Sequence, residues 1–542
     1  MKEKSSKNSY DAVIIGAGFA GLQQLHFLRD RLGLSVVLLE TAPSVGGTWY
    51  WNRYPGARCD SESHTYCFYF NKKLLNKWRW SERYPSQEEI LRYLNFVADE
   101  LDLRRSIKFQ STVCNLDFDQ GKNFWHVSTR RKVFYQAQFV ISAVGCLSSP
   151  YWPKIKGKEK FLGEFYHTGY WPHHNVSFEG KRIAVIGTGS SGIQTISEIA
   201  KKAEQLIVFQ RTANFSIPAR NKELTNNFFE EFKSEIDNYR REMLNARHGH
   251  PWSAPETSVA DTPQKDREHL LEEAWKIGGL RFRESFGDTL TNLKSNEIMS
   301  SFIEKKIKSI VKDPEKAKIL CNFNHPFGTK RPALDTNYFE TFNSSNVELV
   351  DLRKEKISKL TSNGIKTNVK LYPLDMIVLA TGFDALTGTL LKMNIKGKDG
   401  QLLSEVWKYG PKTYLGIQVH GFPNLFIITG PGSPSVLTNM PQSIDQHVSW
   451  ITDCIAYLLK HQYSSIEPLE DSVTEWMKHS QGEVKKTLFA LAESSWYLGA
   501  NIPGKTKTFM PYVGGLNKYR KICDEVATKE YNGFMFKRKS KL

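Results

Sequence analysis

The chain has 542 residues, seven cysteines, 12 % aromatic residues and a formal net charge of +17. That length suits about three or four domain-sized units with a core able to enclose a large cofactor. Its lysines and arginines are scattered among 57 acidic residues rather than massed in one block, which argues against a nucleic-acid partner and for a solvated basic surface that attracts anionic cofactors.

In chain order, a buried strand is predicted over residues 12–15, leading into the loop GAGFAG at residues 16–21. In a strand-turn-helix unit the first glycine, Gly16, permits the tight turn. The second, Gly18, lets the backbone approach a pyrophosphate, and the third, Gly21, lets helix and strand pack closely. The phosphates then sit on a helix N-terminus. Nineteen residues past Gly21 the apolar run VVLL ends in Glu40, a carboxylate suited to accept hydrogen bonds from the adenosine ribose of FAD or NAD. The run AQFVISAVG, residues 137–145, closes this unit as a further buried strand, and the Pro- and Ser-containing residues 146–153 read as a linker.

A second loop, GTGSSG at residues 187–192, repeats the pattern with Gly187, Gly189 and Gly192, and nineteen residues past Gly192 the run LIVFQ leads into Arg211. An arginine cannot accept a hydrogen bond, but its guanidinium is a bidentate partner for the 2′-phosphate of NADP. Residues 218–326 then change character: EEFKSEIDNYRREMLNARHG, REHLLEEAWK and NEIMSSFIEKKIKSIVKD are charged and amphipathic with a helical period. They predict a helical insertion in the second unit. Alternating α/β character resumes at NVELVDL and at LDMIVLATGFD, whose strand ends in a turn at residues 380–382. The strand NLFIITG leads into the loop PGSPSVLTNM, with a helix expected from about Ser443. The segments SSWYLGANIPGK and PYVGGLNKYR read as loops covering the cofactors. The fold class is therefore α/β, with two doubly wound, Rossmann-like dinucleotide-binding domains and a helical insertion in the second.

Two nucleotide sites on one chain are most simply explained by hydride transfer from NADPH to a flavin. The reduced flavin then serves a disulfide, another acceptor, or oxygen. A disulfide route needs a cysteine pair, yet Cys59, Cys67, Cys114, Cys146, Cys321, Cys454 and Cys523 contain no C-x-x-C and no metal-ligand spacing. Neither a dithiol mechanism nor a bound metal is expected.

Three further segments bear on the choice. FLGEFYHTGYWP, residues 161–172, follows FxGxxxHxxxWP without a departure, and so resembles the fingerprint of the flavin-dependent Baeyer–Villiger monooxygenases, in particular their phenylacetone-type branch. GGTWYWNRYPGARCD at residues 46–60 is similar to that family's second motif, and KRPALDTNYFE at residues 330–340 looks like the segment carrying its active-site arginine. The resemblance extends over nearly the whole chain. It implies conversion of ketones to esters or lactones with NADPH and O2 through a flavin C4a-peroxide, with sulfoxidation as a side activity. The related class that oxygenates nitrogen or sulfur ends the fingerprint differently and commonly carries ATGY, whereas this chain has Trp171-Pro172 and ATGFDALTG. A redox-sensing NADPH-binding flavoprotein is the non-enzymatic alternative; Glu40, Asp60, Lys330 and Arg331 together count against it.

The resemblance also implies roles. Arg331 is the fixed cation that stabilises developing negative charge, and Asp60 is its carboxylate partner. Lys330, Arg211 and Thr212 correspond to contacts of the 2′-phosphate, Thr48, Trp49 and Tyr66 to flavin contacts, and Trp496 to a cover for the nicotinamide cofactor. Further cofactor contacts are expected at Phe19, Gly47, Arg58, Met440, Thr188, Ser190, Ser191 and Gln194. His167 is expected as a hinge between the nucleotide units, and the loop at 433–440, with Ser435 and Val436, as a border of the substrate cavity. The expected division is 1–148 and 384–542 for the FAD-binding domain, 149–217 and 327–383 for the NADP-binding domain, and 218–326 for the insertion. MKEKSSKNSY lacks an apolar signal region and no unbroken apolar stretch of about 18 residues occurs, so a cytoplasmic monomer with no membrane partner is expected. The terminal Ser540, Lys541 and Leu542 match a peroxisomal address that only a eukaryote would read.

Overall fold

Apolar runs of four to six residues, buried on both faces, form the centres of two parallel sheets, as strands covered on both sides require. The computed structural model describes residues 8–538; the C-terminal tripeptide considered above lies outside them. In the first sheet Ser9–Ile15 lies between Val36–Leu39 and Phe134–Ser142, all parallel, with Ile15 opposite both Leu39 and Ser142. Leu425–Ile427 joins Phe134–Ser142 in parallel, and an antiparallel ribbon, Val113–Asp119 with Phe124–Thr129, extends the sheet to Asn394–Lys396. The second sheet has five parallel strands in the order Val347–Asp351, Gln205–Gln210, Arg182–Ile186, Met376–Leu379, Glu164–His167. In each sheet a helix leaves the carboxyl end of a central strand through a glycine loop: Phe19–His26 in one, Ser190–Ile199 in the other.

The amphipathic segments form the helices Asn226–Asn245, Gln264–Ile277, Leu293–Ile310 and Pro314–Leu320. Three of the four are capped at their starts: the side chains of Thr225, Asn292 and Asp313 accept amides of the first turn, and Pro314 occupies a position where its missing N–H costs nothing. They do not share one core. Phe229, Phe232 and Ile236 of Asn226–Asn245 join the core of the first sheet, whereas Leu271, Trp275, Met299 and Ile303 join that of the second.

Two expectations are corrected. The helix expected from Ser443 begins at Met440 and runs to Lys460, with Asn439 as its cap and a proline in its first turn. The segment PYVGGLNKYR is a loop only as far as Gly515; its last five residues open the helix Leu516–Thr528, whose Leu516, Tyr519 and Cys523 are buried.

His167 ties three segments together beside the junction of the sheets. It is fully buried, its Nδ1 accepts the Gly169 amide at 2.9 Å, and its Nε2 lies 3.2 Å from both the Tyr151 carbonyl and Thr381 Oγ1. Burial pushes its pKa down to about 4, so the ring is neutral at pH 7.

Candidate active site

A cavity of about 1160 Å³ opens where the carboxyl ends of the two sheets face each other, and both glycine loops line it. The glycines divide by function. A Cβ on Gly16 would lie 2.7 Å from the Ala143 carbonyl oxygen, and one on Gly187 would lie 2.4 Å from that of Ala380. At the third positions, Gly21 and Gly192, it would meet the carbonyl of the loop's own first glycine at 1.8 and 2.2 Å. Protein packing therefore demands glycine at four positions. It makes no such demand at the second: a Cβ on Gly189 meets nothing within 4 Å, and one on Gly18 makes only an ordinary 3.5 Å contact with Gly47. Glycine at these two positions clears space for a ligand, as a pyrophosphate lying against the helix N-terminus requires. The residues present fit two dinucleotides on this observation.

The strand tips differ sharply. Glu40 is 4 % exposed; its two carboxylate oxygens accept the amides of Ala17 at 2.6 Å and Ala42 at 2.7 Å, leaving a lone pair on each for a hydroxyl. Burial raises its pKa above the ordinary value, against the pull of those amides. Arg211, by contrast, is exposed and lines the cavity with Thr212 and Lys330. Lys330 Nζ donates to Ser494 Oγ at 2.9 Å, and burial, aided by the Arg211 charge, pushes its pKa down to about 8.

Between these tips sits an ion pair built from distant parts of the chain. Arg331 donates from Nε to Asp60 Oδ2 at 2.5 Å and from Nη2 to Oδ1 at 2.8 Å, and its Nη1 donates to the Val436 carbonyl at 2.8 Å. The side chains are only 20 % and 24 % exposed. Burial opposes both charges, but each partner outweighs it for the other: Asp60 is held below the usual carboxylate range and Arg331 above its ordinary value. An aromatic wall stands nearby, where Trp49 Nε1 donates to the Tyr66 hydroxyl at 3.3 Å and Phe19 packs edge-on to Tyr66 at 5.1 Å. Trp496, Asn501 and Pro503 bring the C-terminal segment to the cavity.

A family model described as pyridine nucleotide-disulphide oxidoreductase matches residues 13–258, a stretch that includes both glycine loops, although all seven cysteines are free. Over 98 % of the chain it is 40 % identical to a cyclohexanone 1,2-monooxygenase of Acinetobacter sp., covering 97 % of that protein. It is 39 % identical, over 97 % of the chain and 96 % of the relative, to a Baeyer–Villiger monooxygenase of Pseudooceanicola batsensis. The chain belongs to the Baeyer–Villiger monooxygenases.

A phenazine N-monooxygenase of Lysobacter antibioticus is 38 % identical over 98 % of each chain. Among solved structures, an oxidized steroid monooxygenase bound to NADP matches with a TM-score of 0.94 at 45 % identity, covering 98 % of this chain and all of that one. OTEMO in complex with FAD and NADP matches with the same TM-score at 37 % identity, covering 98 % and 99 %. This monooxygenase is an NADPH-dependent flavoprotein using FAD and NADP, with two Rossmann domains.

Most residues singled out from sequence meet in the one cavity: Gly16, Gly18, Phe19, Glu40, Gly47, Thr48, Trp49, Arg58, Asp60, Tyr66, Gly187, Thr188, Gly189, Ser190, Ser191, Gln194, Arg211, Thr212, Lys330, Arg331, Met440 and Trp496 all line it. Gly21 and Gly192 do not, because their missing side chains are needed inside the helix-strand packing. Of the loop residues expected at the cavity border, Val436 lines it, while Ser435 is fully buried with its Oγ 3.0 Å from Cys146 Sγ. Two others line the cavity with part of their hydrogen-bonding capacity spent on protein partners. The Arg58 guanidinium pairs with Glu82 and the Tyr84 carbonyl. Gln194 accepts the Tyr54 hydroxyl at 2.8 Å and donates to the Arg58 carbonyl at 3.1 Å, joining the second glycine-loop helix to the motif at 46–60. Sequence reasoning missed Ser494 beside Lys330, and the Val436 carbonyl as a partner of Arg331; backbone acceptors leave no mark in a sequence. Among the described residues no helix is long and apolar enough to cross a membrane.

Proposed function

We propose that Arg331, held by Asp60 and Val436, is the group that stabilises negative charge on the oxygen of a bound ketone while one oxygen atom is inserted beside its carbonyl carbon. The overall change takes ketone, O2, NADPH and a proton to ester or lactone, water and NADP+. When bound, FAD and NADPH supply the reducing equivalents and the activation of oxygen. The protein supplies placement and field. Of the five N–H donors of Arg331, three are spent on Asp60 and Val436, which leaves one on each Nη for a substrate oxygen. The guanidinium keeps its proton at every working pH, and a fixed donor in a shielded cavity stabilises developing charge far better than water does. That tethered arginine, lining a cavity shared with both glycine loops, is the observation that carries the reading.

In the same proposal Gly18, Glu40, Thr48, Trp49 and Tyr66 hold FAD, and Gly189, Ser190, Ser191, Arg211, Thr212 and Lys330 hold NADP, with Trp496 over the nicotinamide end. In this reading the chain divides at 148, 217, 326 and 383, with helix Asn226–Asn245 of the insertion packed on the FAD-binding side, and it acts as a monomer in the cytoplasm. Seven unpaired cysteines fit a reducing compartment.

The test is turnover of purified enzyme with NADPH and isotopically labelled O2 on cyclic, aliphatic and aryl ketones plus one aryl sulfide. Singly labelled esters or lactones are expected. The N-oxygenating relative supports a second reading, heteroatom oxygenation, which sulfoxide as the sole oxygenated product would favour.

A further inference from the structure

The loop that supplies the Val436 carbonyl to Arg331 is also held by a group outside every motif. Immediately after the helix Asn226–Asn245, the backbone and side chains of residues 247–249 form a strut. His248 Nδ1 lies 3.0 Å from the Leu437 carbonyl, and the His248 carbonyl accepts the Asn439 amide at 2.8 Å. Arg247 Nη2 donates to the Val513 carbonyl at 2.8 Å, while the Leu516 amide donates to the Arg247 carbonyl at 2.7 Å. The next residue, Gly249, has φ +66°, and a Cβ there would meet Leu516 Cδ2 at 2.9 Å and Gln442 Cβ at 3.2 Å. The strut is therefore wedged between the loop and the C-terminal helix.

Two consecutive carbonyls of one buried turn thus receive side-chain donors from distant segments, Val436 from Arg331 and Leu437 from His248. The turn needs them. Ser435, fully buried, has φ +45°, a conformation that costs a non-glycine residue energy and persists only when its surroundings impose it. We propose that His248 is a positioning residue for oxygenation: its Nδ1–H, donated to Leu437, sets the 434–440 turn in register with Arg331, so that the guanidinium keeps its free N–H groups aimed into the cavity.

A carbonyl can only accept, so the Leu437 contact puts the proton on Nδ1. Burial pushes the imidazole pKa down to about 4 against the opposing pull of the Glu284 carboxylate, and in either protonation state Nδ1 carries the hydrogen donated to Leu437. The opposite nitrogen, Nε2, lies 3.4 Å from Glu284 Oε1, and that oxygen is already engaged by Arg283 Nη2 at 2.9 Å. The donor to Leu437 is accordingly the part of the side chain that matters. An asparagine amide reaches the place of Nδ1 and a glutamine amide the place of Nε2, so the two amides separate this role from mere volume.

The effect on product rests on the ketone-oxygenating reading, but the tether itself is measurable without substrate. FAD-loaded His248→Ala, His248→Asn and His248→Gln enzymes would be compared with the unaltered enzyme in two ways. Amide hydrogen exchange would be followed for the peptide spanning 434–440. Product formed per NADPH consumed would be measured with a ketone that the unaltered enzyme oxygenates. Loss of one neutral hydrogen bond predicts about fivefold to tenfold faster exchange in the Ala and Gln variants, with hydrogen peroxide replacing product; the Asn variant stays close to the unaltered enzyme. Should the Ala variant fail to fold, the Asn and Gln pair decides. Gln behaving like Asn, or Ala exchanging at the unaltered rate, would overturn the proposal. If exchange follows the prediction but no ketone is oxygenated by the unaltered enzyme, the tether stands and the ketone reading falls.

Discussion

The two glycine loops have nearly the same backbone and opposite strand tips. Gly16 and Gly187 turn at φ +104° and +110° against the carbonyls of Ala143 and Ala380, so one solution to helix-strand packing is used twice. Glu40 is buried and fixed by two backbone amides, whereas Arg211 is exposed at the cavity edge. A preformed, desolvated acceptor suits a cofactor that stays, since its ordering cost is met during folding. An exposed cation on the rim suits one that enters and leaves each turnover. The difference teaches that shared backbone geometry identifies a nucleotide, while the setting of the tip residue indicates how long it remains.

That contrast can be broken or sharpened at several points. The largest effect is expected where the two halves meet: Arg331→Ala should still oxidise NADPH but lose about 10²- to 10³-fold in ester formation, with hydrogen peroxide accumulating. Retained ester would refute the proposed role. Next come the glycines. Gly192→Ala and Gly21→Ala each drive a Cβ into a backbone carbonyl and should cost about 1–3 kcal/mol, seen as lowered melting temperatures. Gly189→Ala should melt like the unaltered protein and raise KM for NADPH alone. If Gly189→Ala were instead the least stable of the three, the assignment of that open space to a ligand would be wrong. Arg211→Ala should weaken NADPH by about tenfold or more and leave NADH nearly unchanged.

The smallest effect concerns pH. Burial pushes the Lys330 pKa down to about 8, which makes it charged below and neutral above, so the preference for NADPH over NADH should decline as pH rises through 8. Lys330→Gln should flatten that dependence; a preference that rose with pH would remove Lys330 from the phosphate site.

Residues whose chemistry allows no substitute were legible in the sequence. A glycine in a turn of positive φ and a carboxylate or guanidinium at a strand tip each mark a position by type, whereas Arg331 stands out only through the family resemblance of its segment. Relations between segments were not legible. The helical period of residues 226–245 shows that Phe229, Phe232 and Ile236 share a face, but an apolar stripe does not name the surface it covers. Gln194 and Arg58 are expected as ligand contacts because they are polar and lie in motifs, and both line the cavity, while their protein partners, Tyr54 and Glu82, are met only in the folded chain. His248 carries no signal at all, since its partner is a main-chain carbonyl nearly 190 residues away.

The unshared core of the helical segment has a consequence for motion. The chain runs from the first sheet to the second after Ser142, back to the first core at Asn226–Asn245, out again to Gln264–Ile277, and home after Leu379. Four covalent crossings link the halves. A single proteolytic nick at any crossing leaves three intact, and relative rotation must twist all four together, so the halves are expected to rock through a small arc and never to part.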